Sequence, residues 1–252
     1  MKFLRSVAAL AALASFIPAA AINPTAQAAV TTRSGILFAP KPGHSLSVEK
    51  ERQLEKALRR LTGLNELSFS DDGWLSLGDA STTQSGSSTA REILARALGS
   101  NLVYIVEDHS ASPDVHFGQL DEGLLYSDDR TDEAPITVWR LRLDFEDFRQ
   151  MQASREVRAS FDEGITLLHE LLHGLGFKDT RQPNEVGPCE EMVNRVRSEL
   201  ELPLRDSYLG EEQRITPFLY TIRLKFKSRI PHPSRPRWKA QYLFFTVERR
   251  PR

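Results

Sequence analysis

Two histidines and a glutamate lie close together near the middle of the chain, in the order His169-Glu170-Leu171-Leu172-His173. In a helix, residues four apart share a face, so both imidazoles can bind one tetrahedral Zn²⁺. Glu170 is rotated by about 100° from His169 and flanks the metal without binding it. There it can take a proton from a zinc-bound water and pass it to a leaving amine. The spacing therefore predicts peptide-bond hydrolysis by a Glu-activated, zinc-bound water.

A catalytic zinc ion needs a third protein ligand and an open position for water, and the sequence offers two candidates. Asp179 follows the second histidine with the metzincin spacing H-x-x-G-x-x-D, in which Gly176 allows a sharp turn. Glu190, or its neighbour Glu191, lies on the next predicted helix, as the third ligand does in gluzincins. Asn194, one turn further on, is placed to hydrogen-bond a ligand histidine. The sequence favours Glu190 and leaves Asp179 open as the alternative.

A cation and a phenol follow shortly afterwards, at Arg205 and Tyr208, and both can donate hydrogen bonds to the oxyanion of the transition state. Together with the motif and the following glutamate, they resemble the zincin site of clostridial neurotoxin light chains and related bacterial zinc-protease effectors. The resemblance covers about residues 160–210. It implies a zinc ion bound by the two histidines and Glu190, with Glu170 as the base and the Arg–Tyr pair as transition-state donors.

The motif needs a buried helix to position it, and Asp162–His173 has apolar residues around most of its circumference. Apolar and polar residues alternate over Ile136–Phe145, which is typical of a half-buried strand. Further helices are predicted at 47–61, 90–98 and 190–200, and further strands at 102–106, 216–226 and 240–247. These elements predict a single α+β domain in which a small twisted mixed sheet packs on the motif helix. The zincin resemblance implies a substrate extended along a sheet edge.

The N-terminus has the composition of an export signal. Two basic residues precede an apolar run, and Ala26-Gln27-Ala28 has the small-x-small pattern of a cleavage site. We expect residues 1–28 to be a signal peptide cleaved after Ala28, with Ala21 as the alternative, and the protein to be secreted or periplasmic. Residues 29–46 are predicted to form an extended lead-in, and residues 47–228 the metallopeptidase domain.

The C-terminal segment, residues 229–252, is basic and Pro-rich and contains a predicted terminal strand. It predicts contact with an anionic surface, although no motif for specific nucleic-acid binding accompanies the charge. No segment after the signal is long and apolar enough to span a bilayer. The expected partner is a protein or peptide substrate. The alternative functions are a non-catalytic exported protein stabilised by zinc and an anionic-surface-binding module acting through this segment.

Overall fold

The computed structural model describes residues 35–38, 45–79, 83, 85–110, 112, 115–121, 123–126, 136–182, 185–230 and 237–248. The expected signal peptide at 1–28 therefore lies outside the described residues. Within the described ranges, no helix combines the length and apolar character needed to cross a membrane.

The described residues form six helices and eleven strands. The helices are α1 Val48–Thr62, α2 Ser88–Leu98, α3 Phe145–Gln150, α4 Arg155–Ala159, α5 Glu163–Gly174 and α6 Gly187–Glu199. The strands are β1 Gly35–Phe38, β2 Ser68–Phe69, β3 Leu75–Ser76, β4 Leu102–Asp108, β5 Gly118–Leu120, β6 Leu124–Tyr126, β7 Ile136–Leu143, β8 Leu204–Arg205, β9 Glu211–Arg214, β10 Leu219–Ile230 and β11 Arg237–Glu248. The prediction of a mixed α and β architecture is confirmed.

The main sheet has β4 and β7 at its centre. β1 pairs parallel with β4, β4 pairs parallel with β7, and both β5 and β6 pair antiparallel with the outer edge of β7. Leu141 and Leu143 of β7 point towards the helices and join the largest core cluster. Within the expected extended lead-in, Gly35–Phe38 are buried and form β1.

The motif helix α5 is enclosed by other elements on several sides. The Asp162 side chain caps its first turn by accepting a hydrogen bond from the Ile165 N–H at 3.0 Å. Buried residues of α5, including Leu168 and Leu172, share one hydrophobic core with side chains of β7, α1, α2 and α6. Because α5 is packed in this way, the directions of its histidines are determined by the core.

A second sheet is built around a long hairpin. β10 and β11 pair antiparallel through twelve residues each, and β8 and β9 pair with the other edge of β10. Ile222, Leu224 and Phe226 on the inner face pack in a separate core cluster with Phe148 and Phe161. Both strands are longer than the sequence predicted. The expected boundary at residue 229 falls inside β10, and the terminal strand expected after it corresponds to β11, the second strand of the hairpin.

Candidate metal centre

Three potential metal-binding groups from different turns of the chain face one another. Nε2 of His169 and Nε2 of His173 are 3.2 Å apart. Oδ2 of Asp179 lies 3.2 Å from the His173 nitrogen, and Oδ1 of Asp179 lies 3.4 Å from the His169 nitrogen. Two ligands bound tetrahedrally to one zinc ion are separated by roughly 3.4 Å. We call these three groups, the two imidazole rings and the carboxylate, the donor triangle. Their separations are close to those of ligands around one ion.

The local sequence explains how Asp179 reaches this position. The two histidines lie one turn apart on α5, which ends at Gly174. Gly176 then adopts a left-handed backbone with a φ of 92°, which residues with a Cβ rarely adopt. The chain turns back at this point, and Phe177 accepts a hydrogen bond from the second histidine through its carbonyl oxygen. The turn carries Asp179 to the open side of the two rings.

The outer nitrogen of each ring faces an acceptor. Nδ1 of His173 lies 3.1 Å from the carbonyl oxygen of Phe177, and Nδ1 of His169 lies 3.4 Å from Oε2 of Glu190. Because a carbonyl and a carboxylate only accept, each Nδ1 is assigned the proton and each Nε2 a lone pair. The donor triangle then consists of acceptors alone, and Oδ1 of Asp179 is buried without a hydrogen bond. Such an arrangement fits a bound cation.

The pKa shifts describe the same attraction for positive charge. Burial lowers the pKa of His169, but the hydrogen bonds that a protonated ring would make with Asp179, Cys189 and Glu190 outweigh it and raise that pKa well above its usual value. Burial raises the pKa of Asp179, but the hydrogen bonds that protonated histidines would donate to it outweigh burial and lower that pKa. The site therefore favours a proton or another cation between these groups, and metal binding replaces such protons.

Glu170 lies beside the donor triangle, against the edge strand β5. Its side chain is buried and accepts a hydrogen bond from the Leu120 N–H. A Cβ placed on Gly118 would lie 3.5 Å from Cγ of Glu170 and 2.5 Å from Cγ2 of Thr166. Burial raises the pKa of Glu170, while the neighbouring histidines lower it in part. A carboxyl group with a raised pKa is suited to exchanging protons near neutral pH.

The preferred third ligand, Glu190, lies on the other side of the His169 ring. It is almost fully buried, bonds directly with Arg197 and contacts Nη1 of Arg205 at 3.3 Å. Burial raises the pKa of Glu190, but these two arginines outweigh it and lower that pKa well below its usual value. The geometry therefore favours Asp179 over Glu190 as the third ligand. Glu191, the other option on this helix, is exposed.

Arg205 and Asn194 have different surroundings from those expected. Arg205 donates to the carbonyl oxygens of Ser207 and Tyr208, at 3.2 and 2.6 Å, in addition to its contact with Glu190. Asn194 accepts from the Arg205 N–H and donates to the Arg205 carbonyl oxygen, both at 2.9 Å, instead of bonding a histidine. The two residues fix the turn that carries Tyr208 rather than reaching the donor triangle.

Tyr208 is brought to the donor triangle as the sequence predicts. Its ring lies parallel to the His169 ring at a centroid distance of 5.8 Å. Its hydroxyl is hydrogen-bonded to Asp179, and burial raises its pKa above the usual value for a phenol. Tyr208 is therefore protonated over the physiological pH range and can donate a hydrogen bond at this site.

Sequence reasoning missed two features of the site. Cys189 lies beside His169, with Sγ 3.6 Å from Nδ1 and 3.4 Å from the His169 carbonyl oxygen. One potential ligand atom from each of Cys189, the two histidines and Asp179 lies within 4.8 Å of the others, so Cys189 belongs to the same cluster. The close approach of β5 was also missed, and the small residue Gly118 was its only sequence signal. No family model, curated protein or solved structure matches this chain. The function is therefore argued from the site itself.

Proposed function

We propose that the protein is a zinc-dependent metallopeptidase of zincin type, in which His169, His173 and Asp179 bind the metal. The observation that carries the proposal is the donor triangle, whose three groups place acceptor atoms 3.2–3.4 Å from one another, close to the spacing of zinc ligands. When bound, zinc lowers the pKa of water and polarises a carbonyl group. The remaining chemistry belongs to the side chains around it.

Glu170 is the general base in this proposal. Its carboxylate takes the proton of the attacking water and then gives it to the leaving amine. The hydrogen bond from the Leu120 N–H orients this carboxylate. Tyr208 donates a hydrogen bond to the oxyanion, and Arg205 keeps the Tyr208 turn in place through its carbonyl contacts. Arg205 thus acts through Tyr208, in contrast to the direct role expected from the sequence.

The substrate site is proposed to follow the edge of the main sheet. Among the described residues, β5 pairs with β7 along one side only, and its residues lie next to Glu170. An extended peptide can add to such an edge through main-chain hydrogen bonds. This mode of binding places a peptide bond of the substrate beside the general base.

The proposal is tested by two substitutions and a matched control. Glu170→Gln is expected to keep one zinc per chain and to lower the hydrolysis of a fluorogenic peptide library by about 10²–10⁴-fold. His169→Ala is expected to lose both zinc and activity. His109→Gln replaces a histidine that pairs with Glu107 outside the site, and should change neither. Zinc is measured by elemental analysis of the purified protein.

Two outcomes would count against the proposal. Full turnover by the Glu170→Gln protein would exclude this base. Stoichiometric zinc without hydrolysis of any library member would favour the alternative of a non-catalytic protein stabilised by zinc. Export remains a separate prediction, checked by cell fractionation and N-terminal sequencing, with Ala29 expected as the first residue of the processed chain.

A further inference from the structure

The far end of the β10–β11 hairpin projects from the fold. In the middle of the hairpin, Leu224, Phe226 and Leu243 are buried against the second core cluster. Residues 229–230 and 237–240, by contrast, are all exposed, although successive residues of a strand point to opposite faces. Both faces of the ribbon are therefore accessible here. We call these six residues the hairpin finger.

The hairpin finger combines positive charge with exposed apolar surface. Its cations are Arg229, Arg237 and Lys239, and none of its six residues is acidic. Trp238 is 51% exposed and pairs with Arg229 in the strand register. Ile230 is 41% exposed and pairs with Arg237. The chain as a whole has a formal net charge of -1. The positive charge is therefore a local property of the finger.

Neighbouring acidic groups neutralise the base of the hairpin more than its end. Lys225 and Lys227 both pair with Asp206 at 2.8 Å, so these two cations are partly compensated. Glu156 lies close enough to Lys239 for their charges to interact, but the Glu156 side chain is fully exposed and screened by solvent. The excess of positive charge is therefore greatest at the finger.

We propose that the hairpin finger docks the protein on an anionic phospholipid surface. Tryptophan is favoured at the boundary between lipid headgroups and acyl chains, where its ring is apolar and its N–H remains hydrated. Cations near anionic lipid contribute about 1 kcal/mol each, which corresponds to about a fivefold change in affinity. A single-stranded nucleic acid fits less well, because it stacks on successive open rings. On this face the ammonium of Lys227 lies 5.6 Å from the centre of the Trp238 ring, and the next ring, Tyr242, is covered by the guanidinium of Arg223 at 4.9 Å.

The first test compares two sets of variants that lose the same charge. Arg229→Gln, Arg237→Gln and Lys239→Gln combined should weaken binding to vesicles of 30% phosphatidylglycerol in phosphatidylcholine by about a hundredfold. The control set removes three cations from α1 and α6, at Arg52, Lys56 and Arg195, and should weaken binding by less than about fivefold. Both sets share the N-terminus of the parent, so any contribution of residues 1–28 cancels. Equal losses in the two sets would overturn the proposal.

The second test locates the contact at Trp238. Trp74 is buried and Trp139 is half-buried, so quenching by brominated lipid should report mainly on Trp238 and should disappear in Trp238→Phe. Unquenched emission on bound vesicles would overturn the proposal, and so would equal binding to pure phosphatidylcholine or tighter binding to a single-stranded oligonucleotide. Peptide hydrolysis in free solution should be unchanged by every finger variant. Failure of the docking proposal is thereby distinguished from failure of the peptidase proposal.

Discussion

Oε2 of Glu190 lies 3.4 Å from Nδ1 of His169, on the ring edge that points away from the donor triangle. A carboxylate in this position accepts the Nδ1 proton, directs the Nε2 lone pair towards a metal and raises the basicity of the ring. Arg197 and Arg205 bind the same carboxylate, which compensates the cost of burying its charge. In the proposed site, Glu190 therefore positions a ligand histidine rather than binding the metal itself.

This relationship predicts an order of zinc affinities. Glu190→Gln should weaken zinc binding by about 10–100-fold, because the ring loses its orienting carboxylate and keeps its metal-binding nitrogen. Asp179→Ala should weaken it further, because one of three protein ligands is removed. Zinc affinity is measured by competition with a chromophoric chelator. Should Glu190→Gln lose more affinity than Asp179→Ala, the assignment of the third ligand would be reversed.

The buried arginine behind Glu190 predicts a large effect on stability. Arg197 is 1% exposed and donates to Glu190, to the Asn194 side chain at 2.9 Å and to the Ser160 carbonyl oxygen at 2.8 Å. Arg197→Ala leaves buried acceptors unpaired, so we expect the free energy of unfolding to fall by about 3–5 kcal/mol. It is measured by urea denaturation with excess chelator, which removes the contribution of zinc.

A neighbour on the same helix serves as the control for that measurement. Arg195 is exposed, and its replacement by alanine should change the free energy of unfolding by less than about 0.5 kcal/mol. Equal losses for the two variants would mean that the loss reflects helix α6 in general rather than the buried ion pairs.

The sequence predicted the elements with regular patterns. The motif helix was predicted from apolar residues around most of its circumference, and β7 was predicted from the alternation at Trp139, Leu141 and Leu143. β1 and β5 were missed because runs of four and three residues are too short to show a period. Tertiary pairing with β4 and β7 determines both of them.

The choice between Glu190 and Asp179 could not be settled from the sequence. Both lie at spacings that known zinc ligands use, and the difference depends on which edge of the His169 ring each of them meets. The position of Glu190 relative to the ring depends on the packing of α6 and on two arginines, Arg197 and Arg205, which lie seven and fifteen residues further along the chain. Charge compensation of this kind leaves no local pattern in the chain.

A charge cluster on the face of the main sheet away from α5 predicts a pH-dependent stability. Burial raises the pKa of Glu107, but hydrogen bonds with His109 and Arg140 outweigh it and lower that pKa from 4.5 to about 2. The stabilisation is therefore complete above pH 4.5 and is lost as the pH falls towards 2. Glu107→Gln should lower the free energy of unfolding by at most about 3 kcal/mol at pH 7.

The control for this prediction is the pH dependence itself. The difference between Glu107→Gln and the parent should shrink steadily between pH 5 and pH 2, because the parent carboxylate becomes protonated over about this range. It is followed by chemical denaturation at each pH with excess chelator present. A difference that stayed constant over this range would show that the substitution acts through packing instead.

The approach of β5 to the motif helix predicts a steric effect on the general base that a second substitution can reverse. A Cβ on Gly118 would lie 2.5 Å from Cγ2 of Thr166, so Gly118→Ala requires Thr166 or β5 to shift. Because Thr166 is buried on α5, we expect β5, and with it the Leu120 N–H, to move away from Glu170. We expect kcat for peptide hydrolysis to fall at least about tenfold, since small displacements of a catalytic group are costly, while zinc affinity is unchanged.

Thr166→Ser removes the methyl group that causes the clash. The double variant should therefore regain most of the lost kcat, and Thr166→Ser alone should remain close to the parent. If the double variant still bound zinc but did not regain kcat, the loss of activity in Gly118→Ala would not be due to displacement of β5 from Glu170.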